Sequence, residues 1–209
     1  GLVTGVQTCA LPISPIITSY CGGDLYGKIK NEQEIYFDSK IYRYFNKKLS
    51  GRDAYSITKS QNLADEIEGH AKNITIISNG VNMGIFKVID KVACREKLGI
   101  DKNKKTVLFP ADTLNPRKNF DLLKNALDAC KTDDYTILTF EGRNINPEMV
   151  PVYLNASDLV VCTSLNEGSP NIIKEAMACN CKIFSTDCGD LAQLLQGVND
   201  ARIIDYNEL

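Results

Sequence analysis

The sequence is poor in several residue types, and each shortage narrows the class of protein. It contains no Trp, and its unbroken apolar runs are far shorter than a membrane-spanning helix. The absence of Trp also argues against an aromatic belt at a membrane interface. The net charge is −2, and no basic block is long enough to bind nucleic acid. We therefore expect neither a bilayer span nor a nucleic-acid partner.

Histidine and paired cysteines are scarce as well, which limits the metal sites that the chain can form. His70 is the single His, and none of the eight Cys residues lies in a C-x-x-C pair. A structural zinc site usually draws on such groups, so we expect no metal ion. Cys94, Cys130 and Cys162 are interpreted as small buried apolar residues of a protein from a reducing cytoplasm.

What is present is the composition of a globular protein with an unusual beginning. The 209 residues include 44% apolar and 24% charged residues, enough for one large or two small domains. Residues 3–13 read VTGVQTCALPI, which resembles a translated sequencing adapter. We expect residues 1–13 to be an artefact joined to a partial reading frame that begins upstream. A signal peptide is the alternative, but the segment has no basic start and no sustained apolar core.

From residue 15 onward, short apolar segments alternate with longer segments of helical periodicity. The predicted strands are residues 15–20, 54–58, 74–77, 106–110, 135–140, 158–163, 181–185 and 202–205. The predicted helices are residues 32–49, 60–67, 90–98, 120–130, 147–155, 170–179 and 190–196. This alternation predicts an α/β protein with parallel sheets. A break near residues 79–86 predicts two domains, at residues 14–82 and 83–209.

Aromatic and aliphatic residues recur at helical spacing between residues 32 and 49. We interpret them as the packing face of a helix, because such a stripe usually faces a core rather than a ligand. No basic amphipathic stretch that would attach the chain to a membrane surface is identified.

The best candidate for a ligand site follows the predicted strand at residues 158–163. Residues 164–179 read S-L-N-E-G-S-P-N-I-I-K-E-A-M-A-C, a strand end, a turn and a helix. Ser169 is interpreted as the N-cap of that helix and Pro170 as its first residue. Free N–H groups at a helix start can hold a diphosphate. Ligands of open parallel sheets also bind beyond the carboxyl ends of the strands.

This segment, in which seven residues separate Glu167 from Glu175, resembles the E-x7-E segment of the GT-B glycosyltransferases of family 4. Three more stretches carry the resemblance: N-G-V-N at residues 79–82, P-R-K-N-F at 116–120 and P-V-Y-L-N-A-S-D at 151–158. The resemblance extends over residues 15–205. It implies a GT-B fold of two Rossmann-like domains with parallel sheets, the N-terminal acceptor-side domain being truncated.

The resemblance also implies roles for the matched residues. Glu167 would be the catalytic residue, contacting donor sugar hydroxyls near the reacting carbon, and Glu175 would accept hydrogen bonds from the ribose. The side chains of Arg117 and Lys118 would neutralise the departing diphosphate. The remaining donor-binding candidates are Gly168, Ser169, Pro170 and Asn171. Asp24 is the acceptor-side candidate, and residues 141–143 would border the nucleobase.

The function implied by the resemblance is that of a retaining, metal-independent glycosyltransferase of the hexosyltransferase type. Its donor would be a nucleotide-diphosphate sugar, with no cofactor. Its acceptor would be a glycan or lipid-linked precursor of a bacterial surface polysaccharide. The expected location is the cytoplasm, with peripheral association at the inner face of the membrane as one option. The nucleotide, the sugar, the acceptor, the oligomeric state and the activity of the fragment itself stay open.

Two departures from the family pattern leave room for other functions. Ala111 and Asp112 stand where many members have Gly-Arg, and Cys21 stands where many have His. A non-catalytic nucleotide-binding module therefore stays open. A nucleotide-sugar epimerase of the same architecture is the second alternative, although the Glu167–Glu175 segment argues against it.

Overall fold

A computed structural model of the chain describes residues 15–28, 35–130, 134–140 and 145–204. The expected artefact at residues 1–13 and the expected nucleobase loop at residues 141–143 lie outside these described residues. The described chain has two parallel sheets connected by helices, which confirms the predicted α/β class. No helix among the described residues is both long and apolar enough to cross a bilayer.

The N-terminal unit contains a three-stranded parallel sheet in the order β1-β2-β3. Its elements are β1 (Ile17–Tyr20), α1 (Gly23–Tyr26), α2 (Phe37–Ser50), β2 (Tyr55–Thr58), α3 (Gln61–Asp65) and β3 (Ile74–Ile76). Its small core brings together Tyr20, Leu25, Leu63 and Ile67. The sequence predicted all of these elements except α1, which begins directly after Gly22, where only a turn was expected.

The C-terminal unit contains a five-stranded parallel sheet in the order β5-β4-β6-β7-β8. Its strands are β4 (Lys105–Phe109), β5 (Tyr135–Thr139), β6 (Leu159–Cys162), β7 (Ile183–Thr186) and β8 (Ala201–Ile204). Its helices are α4 (Lys91–Leu98), α5 (Phe120–Ala129), α6 (Val150–Ala156), α7 (Asn171–Ala178) and α8 (Leu191–Leu194), with 3-10 turns at Pro116–Lys118 and Pro147–Met149.

The order of the C-terminal strands decides where a ligand can bind. From β4 the chain moves to β5 on one side, and then returns to place β6 on the other side of β4. This change of direction places a crevice at the carboxyl edge of the sheet, where β4 and β6 end. Beneath this edge the core is closed by fully buried side chains such as Leu108, Val160 and Ile173.

Two interpretations of the sequence are wrong. The aromatic stripe of α2 does not pack inward, because the polar residues Ser39 and Asn46 hydrogen-bond the neighbouring backbone of the same unit and occupy the inward face. Cys130 is exposed rather than buried, because it follows the last residue of α5 at the helix C-cap. Cys94 and Cys162 are buried as predicted.

A buried arginine joins α4 to the sheet of the C-terminal unit. The side chain of Arg95 donates to the carbonyls of Ala156 and Lys102 at 2.9 Å each, and its Nη2 lies 2.7 Å from Oδ2 of Asp158. The other oxygen of Asp158 binds Nζ of Lys91 at 2.6 Å. Burial alone would raise the pKa of Asp158, but these hydrogen bonds and charges outweigh burial and lower it.

The quoted N-A-S-D string at residues 155–158 is therefore part of a structural junction. The Asn155 amide donates to the carbonyls of Lys87 and Pro151, and its oxygen accepts from the backbone N–H of Ile89. These contacts fix the segment that leads into α4 against α6. In this structure Asn155 and Asp158 of the string therefore have a packing role.

We predict that Arg95→Met destabilises the protein by roughly 3 kcal/mol, because it removes one partner of a largely buried ion pair. Lys91→Met is the matched control and should cost about 1 kcal/mol or less, because the side chain of Lys91 is 42% exposed. The measurement is the free energy of unfolding in urea, followed by far-UV circular dichroism at pH 7. Equal losses for the two variants would contradict the prediction.

The direction of the pKa shift of Asp158 also predicts how the stability difference between the wild type and Arg95→Met depends on pH. Because the folded pKa of Asp158 is lowered, its contribution is present above the pKa of the unfolded chain, about 3.9. It is lost as the pH falls from there through the folded pKa. The gap between the wild type and Arg95→Met should therefore narrow below about pH 4.

Candidate functional site

The candidate site lies where β4 and β6 end beside each other. The loop after β4 contains the short turn Pro116–Lys118, and the loop after β6 contains Glu167. Thr163, the residue after β6, shares its hydroxyl between the carbonyls of Lys118 and Asn119, at 2.8 Å each. The N–H of Leu165 donates to the carbonyl of Arg117 at 2.9 Å. Backbone contacts thus hold the two loops in one register.

These contacts bring three of the predicted site residues together. The carboxylate of Glu167 binds Nζ of Lys118 through Oε1 at 2.5 Å and Nη1 of Arg117 through Oε2 at 2.8 Å. The same Nη1 donates to the carbonyl of Asn166 at 3.0 Å. The side chain of Glu167 is 11% exposed, compared with 20% for Lys118 and 32% for Arg117.

The electrostatics keep Glu167 ionised. Burial by itself raises the pKa of this carboxyl, but the nearby charges of Lys118 and Arg117, and their hydrogen bonds to it, lower the pKa by more. One carboxylate between two cations leaves the cluster with a net charge of about +1 at neutral pH. Such a cluster can attract an anionic group while it presents a carboxylate to the same ligand.

Arg117 and Glu167 line a cleft of about 500 Å³ between the two units, whereas Lys118 lies behind them and is not among the lining residues. The N-terminal unit contributes Cys21, Gly22 and Gly23 to its lining, and the C-terminal unit contributes Asp112, Arg117 and Glu167. Cys21 and Asp112, the two departures from the family pattern, therefore face the cleft directly. The carboxylate of Asp112 accepts from the N–H of Leu114 at 2.9 Å, which ties it to its own turn.

Glycines allow a close approach of the two units beside the cleft. A Cβ atom placed on Gly22 would lie 3.6 Å from the N atom of Gly168 across the cleft. A Cβ atom on Gly168 would lie 2.9 Å from Cδ1 of Leu63, which is closer than real contacts allow. A side chain at Gly168 would therefore require the side chain of Leu63 or the loop of Glu167 to shift.

The start of α7 differs from the prediction. Pro170, rather than Ser169, is the N-cap, and no side chain caps the helix. The reason is that Ser169 has stronger partners: its hydroxyl donates to Oδ2 of Asp190 and accepts from Nζ of Lys174, both at 2.5 Å. A hydrogen bond that involves a charged group is stronger than one from a neutral backbone N–H.

Asn171 and Lys174 connect α7 to the segment between the units. Nζ of Lys174 donates to the carbonyl of Asn79, and the amide of Asn79 donates to Oδ1 of Asn171, both at 3.2 Å. Asn171 was predicted to bind the donor. In the structure it contacts the N-G-V-N string, so both strings of the resemblance meet at this junction.

Two predicted site residues lie apart from the ion cluster. Glu175 is in the second turn of α7 and is partly buried, and its carboxylate has no hydrogen bond or ion pair with any described residue. Burial raises the pKa of its carboxyl. Asp24 lies at the start of α1, where its Oδ2 accepts from the N–H of Cys21 at 2.9 Å. Neither residue is among those that line the cleft, so their ligand contacts stay predictions.

Gly189 is a site-supporting residue that the sequence reasoning did not single out. It has a positive φ of 65°, and a Cβ atom on it would lie 2.7 Å from the carbonyl oxygen of Glu167. Its own carbonyl accepts from the amide of Asn62 in the N-terminal unit at 2.7 Å. The S-T-D-C-G-D string at residues 185–190 was the available signal, because a Gly followed by Asp after a strand indicates a tight turn.

We predict that Gly189→Ala lowers the free energy of unfolding by about 1 to 3 kcal/mol more than Gly197→Ala does. Both glycines have positive φ, so both variants carry the backbone penalty, but only Gly189 has atoms within 4 Å of its Cβ position. Urea unfolding of both variants makes the comparison. Similar losses of unfolding free energy for the two variants would mean that the loop of Glu167 moves aside for the added methyl group at no measurable cost in stability.

Comparisons with known proteins give a family match for part of the chain. Residues 121–208 match the profile of the family described as Glycosyl transferases group 1, and this span covers most of the C-terminal unit. No curated protein sequence matches the chain.

Solved structures share the fold over nearly the whole chain. Sucrose-phosphate synthase from Thermosynechococcus elongatus matches with a TM-score of 0.71 and 15% identity, over 90% of this chain and 54% of that one. HepE from Anabaena, in complex with UDP and glucose, matches with a TM-score of 0.72 and 18% identity, over 91% of this chain and 58% of that one. WaaG, a glycosyltransferase involved in lipopolysaccharide biosynthesis, matches with a TM-score of 0.67 and 16% identity, over 83% of this chain and 57% of that one.

These likenesses establish the architecture. The chain has the α/β fold of GT-B glycosyltransferases, which confirms the predicted fold class. It spans a little over half the length of each of these three proteins. At identities below 20% the likeness concerns the fold, and function has to be argued from the site.

Proposed function

We propose that this chain forms the donor-binding part of a retaining glycosyltransferase that uses a nucleotide-diphosphate sugar. The observation that carries the proposal is the ion cluster of Glu167, Arg117 and Lys118 at the crevice of the C-terminal sheet. The group 1 match over residues 121–208 supports the reaction class. The structures of HepE with UDP and with UDP-glucose support a nucleotide-sugar ligand.

The cluster suits the charge changes of glycosyl transfer. When the bond between the anomeric carbon and the diphosphate breaks, negative charge grows on the leaving phosphate and positive charge on the sugar ring. Lys118 and Arg117 would stabilise the phosphate, and the ionised carboxylate of Glu167 would face the sugar. The diphosphate would then share the two cations with Glu167, which explains why one carboxylate is matched with two basic side chains.

The acceptor follows less directly from the site. We propose a hexosyl transfer to a glycan or lipid-linked precursor of a bacterial surface polysaccharide, at the cytoplasmic side of the membrane. The support is the resemblance of the E-x7-E segment to enzymes of that kind, together with the fold shared with WaaG. Asp24, beside the cleft residues Cys21, Gly22 and Gly23, stays the acceptor-side candidate.

We predict that the chain binds a nucleoside diphosphate and that Lys118→Met weakens this binding by about tenfold or more, because a charge-assisted hydrogen bond to phosphate is lost. Isothermal titration calorimetry with UDP, GDP and ADP measures the affinities. Lys124→Met is the matched control, because Lys124 is an exposed residue of α5 outside the cleft. Equal affinities of the two variants for every nucleotide would remove the ion cluster from the donor site.

A non-catalytic nucleotide-binding module is the second candidate. It is favoured by Cys21 and Asp112, which line the cleft where the family pattern has His and Arg. The two candidates differ in turnover, because only an enzyme releases free nucleotide from a nucleotide sugar. Binding of a nucleotide sugar without release, alone or with added lipid-linked glycan, would favour the module.

Replacing Glu175 should have two opposite effects, a gain in stability and a loss of nucleotide affinity. Burial raises the pKa of its carboxyl, because the charged form loses hydration in the folded protein. Its destabilising contribution grows as the pH rises from the unfolded pKa through the folded pKa. We predict that Glu175→Gln stabilises the ligand-free protein at pH 7 by up to about 1 kcal/mol.

The same variant should weaken nucleoside diphosphate binding, because a carboxylate accepts hydrogen bonds from ribose hydroxyls better than an amide does. The measurements are urea unfolding at pH 5 and pH 7, and calorimetry with the nucleotide that binds best. Stabilisation with unchanged affinity would leave Glu175 as a buried charge without a role in donor binding.

A further inference from the structure

Two cysteines meet where strands β6 and β7 end. Cys162 is the last residue of β6, and Cys188 lies in the turn that follows β7. The two strands are paired, with Cys162 opposite Ser185, whose hydroxyl donates to the carbonyl of Cys162 at 3.1 Å. Both cysteines are free, belong to the same buried cluster and are 6% exposed. The thiol of Cys188 hydrogen-bonds the sulfur of Cys162, so the two side chains are in contact.

The surroundings make the two thiols unequal. The hydrogen bond from Cys188 lowers the pKa of Cys162; burial opposes this, but hydrogen bonds from Ser164 and the charge of Lys118 add to the lowering. Sγ of Cys162 lies 3.5 Å from Oγ of Ser164. The pKa of Cys188 is raised by its hydrogen bond with Cys162 and by burial. Because the thiolate is the nucleophilic form, Cys162 is the attacking thiol and Cys188 the partner that resolves the product.

The pair is mechanically connected to the loop of Glu167. Cys188 directly precedes Gly189, and a Cβ atom on Gly189 would lie 2.7 Å from the carbonyl oxygen of Glu167 and 2.8 Å from that of Gly168. The turn after β7 therefore packs on this loop without a gap. Cys162 is held in the sheet, so a bond between the sulfurs, about 2 Å long, would have to draw the turn toward β6. The loop of Glu167 would shift with it.

We propose that Cys162 and Cys188 form a modification site, at which a hydroperoxide oxidises the two thiols to a disulfide. The thiolate of Cys162 attacks one peroxide oxygen, so that an S–O bond forms and the O–O bond breaks. Hydroxide leaves and takes up the proton that Cys162 had lost. The sulfur of Cys188 then attacks the sulfenic sulfur, the S–O bond breaks, and a second water leaves. Two thiols thus lose two electrons and two protons, and hydrogen peroxide becomes two waters.

The burial of the pair decides which oxidant fits. Cys162 and Cys188 are nearly inaccessible to solvent, so a bulky disulfide such as oxidised glutathione would have to open the core to reach them. Hydrogen peroxide is close to water in size and needs only a small movement of the turn after β7. The modification site stands on these two thiols alone. Its expected effect on nucleotide affinity rests on the proposed function.

The experiment treats the reduced 209-residue chain with hydrogen peroxide, blocks the remaining thiols with iodoacetamide and maps the tryptic peptides by mass spectrometry. Trypsin places Cys162 in the peptide of residues 144–174 and Cys188 in that of residues 183–202, and each peptide has no other Cys. Cys179 and Cys181 share the peptide of residues 175–182. We expect the first two peptides to become cross-linked, with the loss of two hydrogen masses, and dithiothreitol to separate them.

Two variants test the order of the steps and the identity of the pair. Cys188→Ser should form no cross-link, and dimedone, which traps sulfenic acids, should label its Cys162 after peroxide treatment. Cys181→Ser is the matched control and should cross-link like the wild type. Its serine hydroxyl can retain the hydrogen bond that the Cys181 thiol donates to the carbonyl of Leu154 at 3.3 Å. The wild-type map tests the site even if Cys188→Ser unfolds the chain.

Amide hydrogen exchange measures the connection to the loop of Glu167. We expect exchange at residues 164–169 to become about tenfold faster in the oxidised protein and to recover with dithiothreitol. Affinity for the nucleoside diphosphate that binds best should fall about fivefold, because hydrogen bonds to the diphosphate are strained.

Three results would overturn the proposal. The first is iodoacetamide labelling of Cys162 and Cys188 that peroxide leaves unchanged. The second is a cross-link that joins either residue to Cys179 or Cys181 instead. The third is a Cys162–Cys188 cross-link with unchanged exchange at residues 164–169, which would remove the connection to the loop of Glu167. Mass and exchange need no nucleotide, so a failure of the proposed donor site would be a separate result.

Discussion

The arrangement of the cleft depends on one largely buried carboxylate that stays charged. Glu167 is 11% exposed, and an ionised group in such a place is costly unless opposite charges accompany it. Arg117 and Lys118 supply them, but both belong to a different loop. The loops after β4 and β6 must therefore stay in register. The contacts of Thr163 and Leu165 with the backbone of residues 117–119 serve this requirement.

A cluster of this kind is poorly explained by stability. The attraction between buried opposite charges is largely offset by the loss of hydration, so an apolar packing of the same space would hold the loops as well. The contrast with Arg95 is informative. Arg95 spends its donors on two carbonyls, a hydroxyl and Asp158, which together fasten a helix to a sheet. Arg117 instead leaves part of its surface open to the cleft.

The sequence predicted the regular elements well and the individual contacts unevenly. Strands β4 and β6 were predictable because a strand covered on both faces is a run of apolar residues. Glu167 and Lys118 were both assigned to the donor site by the resemblance, but their direct contact was not predicted, because the sequence does not show that β4 and β6 are neighbours in the sheet. The N-cap of α7 was predicted wrongly because residue preferences describe a helix end in isolation. Such preferences do not include the contacts of Ser169 with Lys174 and Asp190, which take its hydroxyl away from the helix N–H groups.

Helix α2 shows a limit of another kind. The spacing of its apolar residues correctly predicts a helix with one apolar face. Spacing alone does not show whether that face points to the core or to solvent. Residues distant in sequence decide the orientation of the helix. Glu66 forms ion pairs with Arg43 and Lys47, and the carbonyl of Asp24 accepts a hydrogen bond from Asn46. Because these partners satisfy the polar side of the helix against the protein, the apolar side is left outward. The orientation of α2 thus follows from where the charges of the N-terminal unit are neutralised, and it brings the aromatic face beside the cleft.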